Sequence, residues 1–242
     1  LQYETFFQRL EPNARVLDVG CGNGHLTAKI AQHVPSGFVL GVESHYQTLV
    51  SAMLNYRSEV CPNLRFCQAD AKRLRLQQEP FDYVLSKGCL HYLQHPGHAF
   101  KAIARNLRPG GTMYSWCLGR NSAGKINKVL RQLCKAEQWK PYLADWQVAW
   151  TYATYESCLP WLTEAGLTPV QGLMVEEELD FPERGAFVEW LRRNWAYLQR
   201  IPYTLLEVFE DQLLESYLAA NQGRYNAQRI WLVLEARKSE PD

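Results

Sequence analysis

The sequence predicts an α/β fold built on a mostly parallel sheet, and three observations predict it. Arg15-Val16-Leu17-Asp18-Val19 is a short apolar run of β-formers interrupted by one acid, the pattern of a buried strand. Glycines at 20, 22 and 24 follow, and Leu26, Ala28, Ile30 and Ala31 then recur at helical spacing up to His33. Beyond them, short strands and amphipathic helices alternate to about residue 117, the order of βαβ units.

Each element has its own signal. Tyr3, Phe6, Phe7 and Leu10 carry the end of an amphipathic helix ahead of the first strand. Pro35-Ser36-Gly37 turns the chain into a second strand, Phe38 to Val42, which ends at Glu43. A helix over Leu49–Tyr56 leads to a third strand, Asn63 to Cys67, and then to Gln68-Ala69-Asp70-Ala71. Pro80 to Ser86 is a fourth strand, closed by Lys87-Gly88-Cys89-Leu90-His91-Tyr92-Leu93. Ala99–Leu107 is a helix, Leu107 to Thr112 a tight proline-glycine turn, and Met113–Cys117 a fifth strand.

From Leu118 the pattern changes. Residues 121–139 place Ile126, Val129, Leu130, Leu133 and Trp139 on one stripe, whereas 140–153 hold Tyr142, Trp146, Trp150 and Tyr152 without a period. Tyr155 to Gly166 reads as a helix, Leu167 to about Val175 as a strand, and Arg229 to Arg237 as the last strand. The stretch 176–228 is too long for a hairpin loop and holds two amphipathic helices, Phe187–Leu198 and Leu205–Leu218. The expected organisation is a single domain over 1–242. Its core is 14–117, 154–175 and 229–238, and two insertions, 118–153 and 176–228, form a helical cap above the ligand-binding edge.

Composition bounds the function. In 242 residues, 47% hydrophobic content supports a real core and 21% charged content argues against disorder. Net charge is +1 without a long basic run, so a polynucleotide substrate gains no support. Apolar stretches are broken by charges well short of a membrane span, and no signal sequence is visible. Seven scattered cysteines, odd in number and without a Cys-x-x-Cys pair, are the usage of a reduced, cytoplasmic protein. Cys21 and Cys89 fall near the glycine loop, where small buried fillers suit the packing. His91, His95 and His98 are spaced like metal ligands, but Pro96-Gly97 breaks their common helix face and no metal is expected.

The glycine loop brings backbone N–H groups close to a nucleotide-like ligand, since a Cβ there would block the approach. The dinucleotide fingerprint would need its third glycine at His25, and a Walker loop would need Gly-Lys-Ser/Thr. Neither fits. Glu43 ends the second strand about twenty residues beyond the glycines, where such folds bind ribose hydroxyls. A solvated strand-end acid is the plain alternative for Glu43, and a turn-capping acid the plain alternative for Asp70.

Five segments, Asp18–Gly24, Glu43, Asp70-Ala71, Phe81–Ser86 and Arg108–Gly111, agree in order and spacing with one family. The chain resembles the class I S-adenosyl-L-methionine (SAM)-dependent methyltransferases over 14–117, 154–175 and the last strand. The resemblance implies a Rossmann-like seven-stranded sheet whose last strand runs antiparallel between two others, with helices on both faces. It also implies SAM above Gly20, Cys21, Gly22 and Gly24. Asp18 and the loop amides then face methionine and ribose, Glu43 the ribose, and Asp70 and Ala71 the adenine, with Ser44, Ser86 and Lys87 completing the cofactor site. The chain opens at Leu1, not Met, and a preceding segment is expected, one with which this family often closes its cofactor site. The Asp/Asn-Pro-Pro-Tyr signature of amide and base-amino methylation is absent.

Phe187-x-x-Trp190-Leu191, Arg200-Ile201-Pro202 and the Arg-Lys strand end resemble trans-aconitate methyltransferase and its relatives, which make methyl esters of small carboxylates. The malonyl-acyl-carrier-protein methyltransferases share much of this layout. A carboxylate acceptor is ionised at neutral pH and needs no base, whereas an amine or phenol often does. His91 is the candidate catalytic group. Tyr92, Trp116, Trp150 and Arg200 are the candidate acceptor-binding residues, with Lys87, Arg120 and Arg193 as further cations and Tyr152 as a further aromatic. The expected partner is a small-molecule substrate, not nucleic acid or membrane. A SAM-binding protein without transfer activity, a carrier-bound or other N/O acceptor, and a dehydrogenase stand as alternatives.

Overall fold

The computed structural model describes residues 2–93, 95–147 and 151–240. Its centre is one seven-stranded sheet of order β3-β2-β1-β4-β5-β7-β6. The strands are β1 (Arg15–Val19), β2 (Phe38–Glu43), β3 (Leu64–Gln68), β4 (Phe81–Lys87), β5 (Leu107–Leu118), β6 (Leu167–Asp180) and β7 (Asn226–Lys238). Parallel pairing joins β3 to β2, β2 to β1, β1 to β4 and β4 to β5. The last strand reverses. Lys238 Nζ donates to Leu107 O at the start of β5, while Cys117 Sγ meets Leu232 O near its end, so β5 and β7 run in opposite senses.

The physical logic follows burial. Val16 to Val19 are buried along a central strand covered on both faces, which is why the run is almost continuously apolar. Helix α1 spans Gln2–Gln8, α2 His25–His33, α3 Tyr46–Asn55, α4 Pro96–Asn106 and α7 Tyr155–Glu164. Thr154 caps α7 reciprocally with Ser157, satisfying two helix-start donors. In the second half of the chain, α5 is Gly124–Leu133, α6 Lys140–Leu143, α8 Arg184–Asn194 and α9 Tyr203–Ala220.

Several boundaries differ from the sequence expectation. Strand β5 begins at Leu107, not Met113, and passes Arg108 to Gly111 as a register shift: Phe81 faces Leu107 and Tyr83 faces Thr112. The expected reversal is therefore a bulge, with Gly110 at φ +68. Helix α5 stops at Leu133, short of Trp139, and β6 runs on to Asp180, past Val175.

The chain clusters into two compact units. One holds residues 1–118, 153–174 and 232–242, and the other 119–152 and 175–231. The first buries Leu17, Leu40, Val84, Phe100, Ile103 and Leu162 among its core residues. The second has a separate core around Trp139, Phe187, Leu191, Phe209 and Leu213. There Phe209 packs edge-on against Trp139 at 5.0 Å. Arg192 grips the buried Glu210 through two hydrogen bonds of 2.8 and 2.7 Å, and Tyr197 donates a third at 3.2 Å. Among the described residues, no helix is long and apolar enough to cross a membrane.

Candidate active site

The C-terminal ends of β1, β2, β3 and β4 open on a cleft of about 580 Å³ in the first unit. Open parallel sheets hold ligands at this edge because loops and helix starts converge there. Gly20, Gly22 and Gly24 have φ of +78, +57 and +79, which residues with a Cβ adopt only under strain. They serve different ends. A Cβ on Gly20 would lie 2.5 Å from that of Cys89, and one on Gly24 2.8 Å from the Phe66 ring, so these two are fixed by packing. A Cβ on Gly22 would meet nothing within 4 Å, and Gly22 lines the cleft. Its bare backbone is what a ligand can approach.

Three carboxylates reach the cleft: Asp18, Glu43 and Asp70. Asp18 interrupts the apolar run of β1 one residue before its end, and its side chain accepts from Thr27 Oγ1 at 2.7 Å. It is 2% exposed, and burial pushes its pKa up to about 6 against the lowering effect of Thr27. Glu43 knits two loops together. Its Oε2 accepts from Gly22 N–H at 3.1 Å, and its Oε1 from His45 N–H at 2.9 Å and Ser44 Oγ at 3.2 Å. Asp70 Oδ1 accepts from Lys72 N–H at 2.9 Å, a turn-capping contact, while its residue still borders the cleft. Lys87 brings positive charge to the same lining and pulls the Asp18 pKa down.

The cleft lining thus gathers Asp18, Gly20, Cys21, Gly22, Glu43 and Ser44 from the first two strand ends. Asp70, Ala71, Lys87 and Tyr92 join them from β3 and β4. Gly24 is set back as the N-terminal cap of α2. Ser86 points the other way along β4, donating to Val19 O at 2.9 Å from a fully buried position. Trp116 is also away from the lining: it is 2% exposed, with its ring near Phe6 and Tyr114. His91 is buried and accepts the Leu118 N–H at Nδ1.

Arg200 belongs to the second unit, where it pairs with Asp145 at 3.0 Å. Tyr152 accepts from Asn127 Nδ2 at 2.7 Å in that unit, and Arg193 pairs with Glu189. Trp150 lies outside the described residues. Cys89 lines the cleft as its expected place near the glycine loop requires, and Asn23, His25, Leu26, Gly88 and Leu93, which the sequence reading does not name as ligand contacts, line it too. Thr27 was missed too; its signal is an inward helix position one turn after the glycines.

Two thiols border the cleft. Burial pushes Cys89 up to about 12 and Cys21 higher still, with Asp18 and Glu43 adding to both, so neither is a ready nucleophile. A wider cavity of about 670 Å³ lies in the second unit beside Lys125, Asn221 and Glu178. No glycine-rich turn opens on it, and Lys125 already donates to Asn221 there, so the first-unit cleft is the candidate site. Among the described residues, no cluster of His, Cys, Asp and Glu could hold a metal ion.

The fold and this cleft define an α/β protein whose glycine loop and three carboxylates line a cleft at the C-terminal edge of its parallel strands. A family model described as a methyltransferase domain matches residues 10–166. The chain belongs to the class I SAM-dependent methyltransferases, and its cofactor is S-adenosyl-L-methionine. It is 30% identical over 219 residues to a trans-aconitate 2-methyltransferase of Streptomyces coelicolor, covering 88% of this chain and 70% of that protein. The same-named protein of Deinococcus radiodurans is 36% identical over 102 residues, but only 42% of this chain and 37% of that one align. A provisionally named methyltransferase of Invertebrate iridescent virus 6 is 22% identical over 223 residues, 90% of this chain and 80% of the viral protein.

Among solved structures, a provisionally named methyltransferase of Bacillus halodurans superposes with a TM-score of 0.70 at 19% identity, covering 98% of both chains. Phosphoethanolamine N-methyltransferase 2 of Haemonchus contortus, solved with S-adenosylhomocysteine, scores 0.59 at 19% identity. It covers 98% of this chain and 51% of that one.

The residues present suit this cofactor. Gly22 puts no side chain between its Cα and the cleft while its N–H orients Glu43, and Asp18 is a desolvated carboxylate that gains by facing positive charge.

Proposed function

We propose that the chain transfers the methyl group of SAM to a small carboxylate, forming a methyl ester. When bound, SAM supplies a methyl already activated on a sulfonium. The protein's part is alignment and exclusion of water, because in-line displacement needs acceptor, carbon and sulfur collinear. In this reading Asp18 faces the cofactor's positive charge, Glu43 the ribose and Asp70 the adenine. Gly22 and its neighbours line the loop beneath. Adenosine then lies toward β2 and β3, and the transferable methyl lies past the glycine loop toward the end of β4.

One observation carries the choice of acceptor. His91, in the turn that follows β4, accepts a backbone N–H at Nδ1, so that nitrogen is not a base waiting for an acceptor's proton. A carboxylate needs no such base, being ionised at neutral pH. Lys87 adds positive charge in the same lining, and the trans-aconitate 2-methyltransferase of S. coelicolor, aligned along most of the chain, supports the same chemistry.

The test is incubation with methyl-labelled SAM and a panel of small di- and tricarboxylates, trans-aconitate included, followed by mild alkali. Ester formation returns the label as volatile methanol. Alkali-stable label would place the methyl on an atom other than a carboxylate oxygen and overturn the ester reading. Tight cofactor binding with no transferred label across the panel would favour a binding protein.

A further inference from the structure

His91 sits in the 3-10 turn Leu90–Tyr92 that follows β4. Its side chain is 4% exposed, and the Leu118 N–H donates to Nδ1 at 3.4 Å. A neutral imidazole that accepts at Nδ1 carries its proton on Nε2, so it cannot take a proton at Nδ1 without giving up that bond. Leu118 is the last residue of β5, the neighbour of β4 in the sheet. The imidazole therefore ties the turn after β4 to the end of the adjacent strand. On one face it meets Tyr92, with ring centroids 4.3 Å apart and planes at 38°. Tyr92 is 52% exposed, yet it lines the cleft. An exposed tyrosine on a three-residue turn has two torsions to explore, and a ring held from behind removes much of that freedom.

We infer that His91 is a positioning residue that holds the Tyr92 ring as a wall of the cleft at the transfer end. The inference rests on the cofactor orientation proposed above. The sheet order β3-β2-β1-β4 sets Asp70 and Glu43 on one side of the glycine loop and Tyr92 on the other. With adenosine toward β2 and β3, Tyr92 meets the acceptor and not the nucleoside. His91 acts through it, without touching either reactant.

The test separates this role from acid–base chemistry and from mere folding. Protein labelled with 3-fluorotyrosine, its Tyr92 resonance assigned by Tyr92→Phe, is compared among wild type, His91→Ala, His91→Asn and His91→Phe. Expected is a Tyr92 resonance that shifts and narrows in His91→Ala, while His91→Phe, which keeps a ring behind Tyr92, stays close to wild type. Long-range 15N NMR of the wild-type imidazole should find Nε2 protonated and Nδ1 bare at neutral pH. With trans-aconitate as acceptor, His91→Ala should raise KM about tenfold, with a smaller loss in kcat and the same pH profile.

S-adenosylhomocysteine affinity should stay within about twofold across the set, as expected for a residue outside the nucleoside contacts. An unmoved Tyr92 resonance in His91→Ala overturns the inference. So does a kcat fall of about a hundredfold with loss of a pH limb in the histidine range, the mark of a general base. The orientation is checked separately: Glu43→Ala should weaken S-adenosylhomocysteine, and unchanged affinity there sinks the orientation and leaves the Tyr92 readout standing by itself.

Discussion

Replacing Asp18 with Asn should make the cofactor-free protein more stable and its cofactor binding weaker. The carboxyl is buried beside the glycine loop and titrates at about 6, against 3.8 for an ordinary aspartate. At about 1.36 kcal/mol per pH unit, ionising it in the folded state costs about 3 kcal/mol. Because the folded value is the higher one, the penalty is absent below 3.8, grows between 3.8 and about 6, and is complete above that. Asn is isosteric, and its Oδ1 still accepts from Thr27 Oγ1, so the existing hydrogen bond survives.

Urea unfolding at pH 8 should accordingly show Asp18→Asn about 1–3 kcal/mol more stable, an advantage that vanishes near pH 4. Calorimetry with S-adenosylmethionine should show the reverse preference. Affinity of the wild type should be flat above pH 6 and fall about tenfold per pH unit below it, while the variant binds weakly and without that dependence. A variant that is less stable at pH 8 and binds like wild type would refute the argument, because Asp18 would then be neither strained by burial nor relieved by a cation.

Three further outcomes follow from named contacts. Gly20→Ala should destabilise by about 2–4 kcal/mol, combining left-handed strain with the Cys89 overlap, and urea midpoints will read it. Gly22→Ala has the strain but no overlap, so about 1 kcal/mol of stability should be lost while S-adenosylhomocysteine affinity, measured by calorimetry, drops well beyond that. Arg192→Met leaves Glu210, 3% exposed, without its bidentate partner; the expected loss is about 3–5 kcal/mol near neutrality, recovered in part by Glu210→Gln on the same background.

Much of the site was legible because its determinants are local. A buried strand, glycines that need left-handed φ and a following helix occupy consecutive residues, and their order alone sets β1, the loop and α2. Strand-end acids at Glu43 and Asp70 follow from the same βα repeat. Ser86 and Lys87 show where neighbouring positions part company. Adjacent strand residues face opposite sides, so with Lys87 in the cleft Ser86 has to turn inward to Val19 O. That much was available from period two alone.

Trp116 and His91 were not available in this way. Trp116 stands in register with Lys87 across β4 and β5, yet its ring packs near Phe6, far off in the chain. His91 is held by the Leu118 amide, 27 residues on. The bulge at Arg108–Gly111 also reads locally as a turn and becomes part of β5 only when β4 is laid beside it.

Backbone preference and hydrophobic period are properties of short stretches, and they were enough to place most of the strands and the glycine loop, while the class of enzyme came from the resemblance of five short motifs to one family. Which side chain finally meets the cleft depends on contacts between residues distant in sequence. Those contacts are made only once the sheet has assembled, so no single stretch of the chain encodes them.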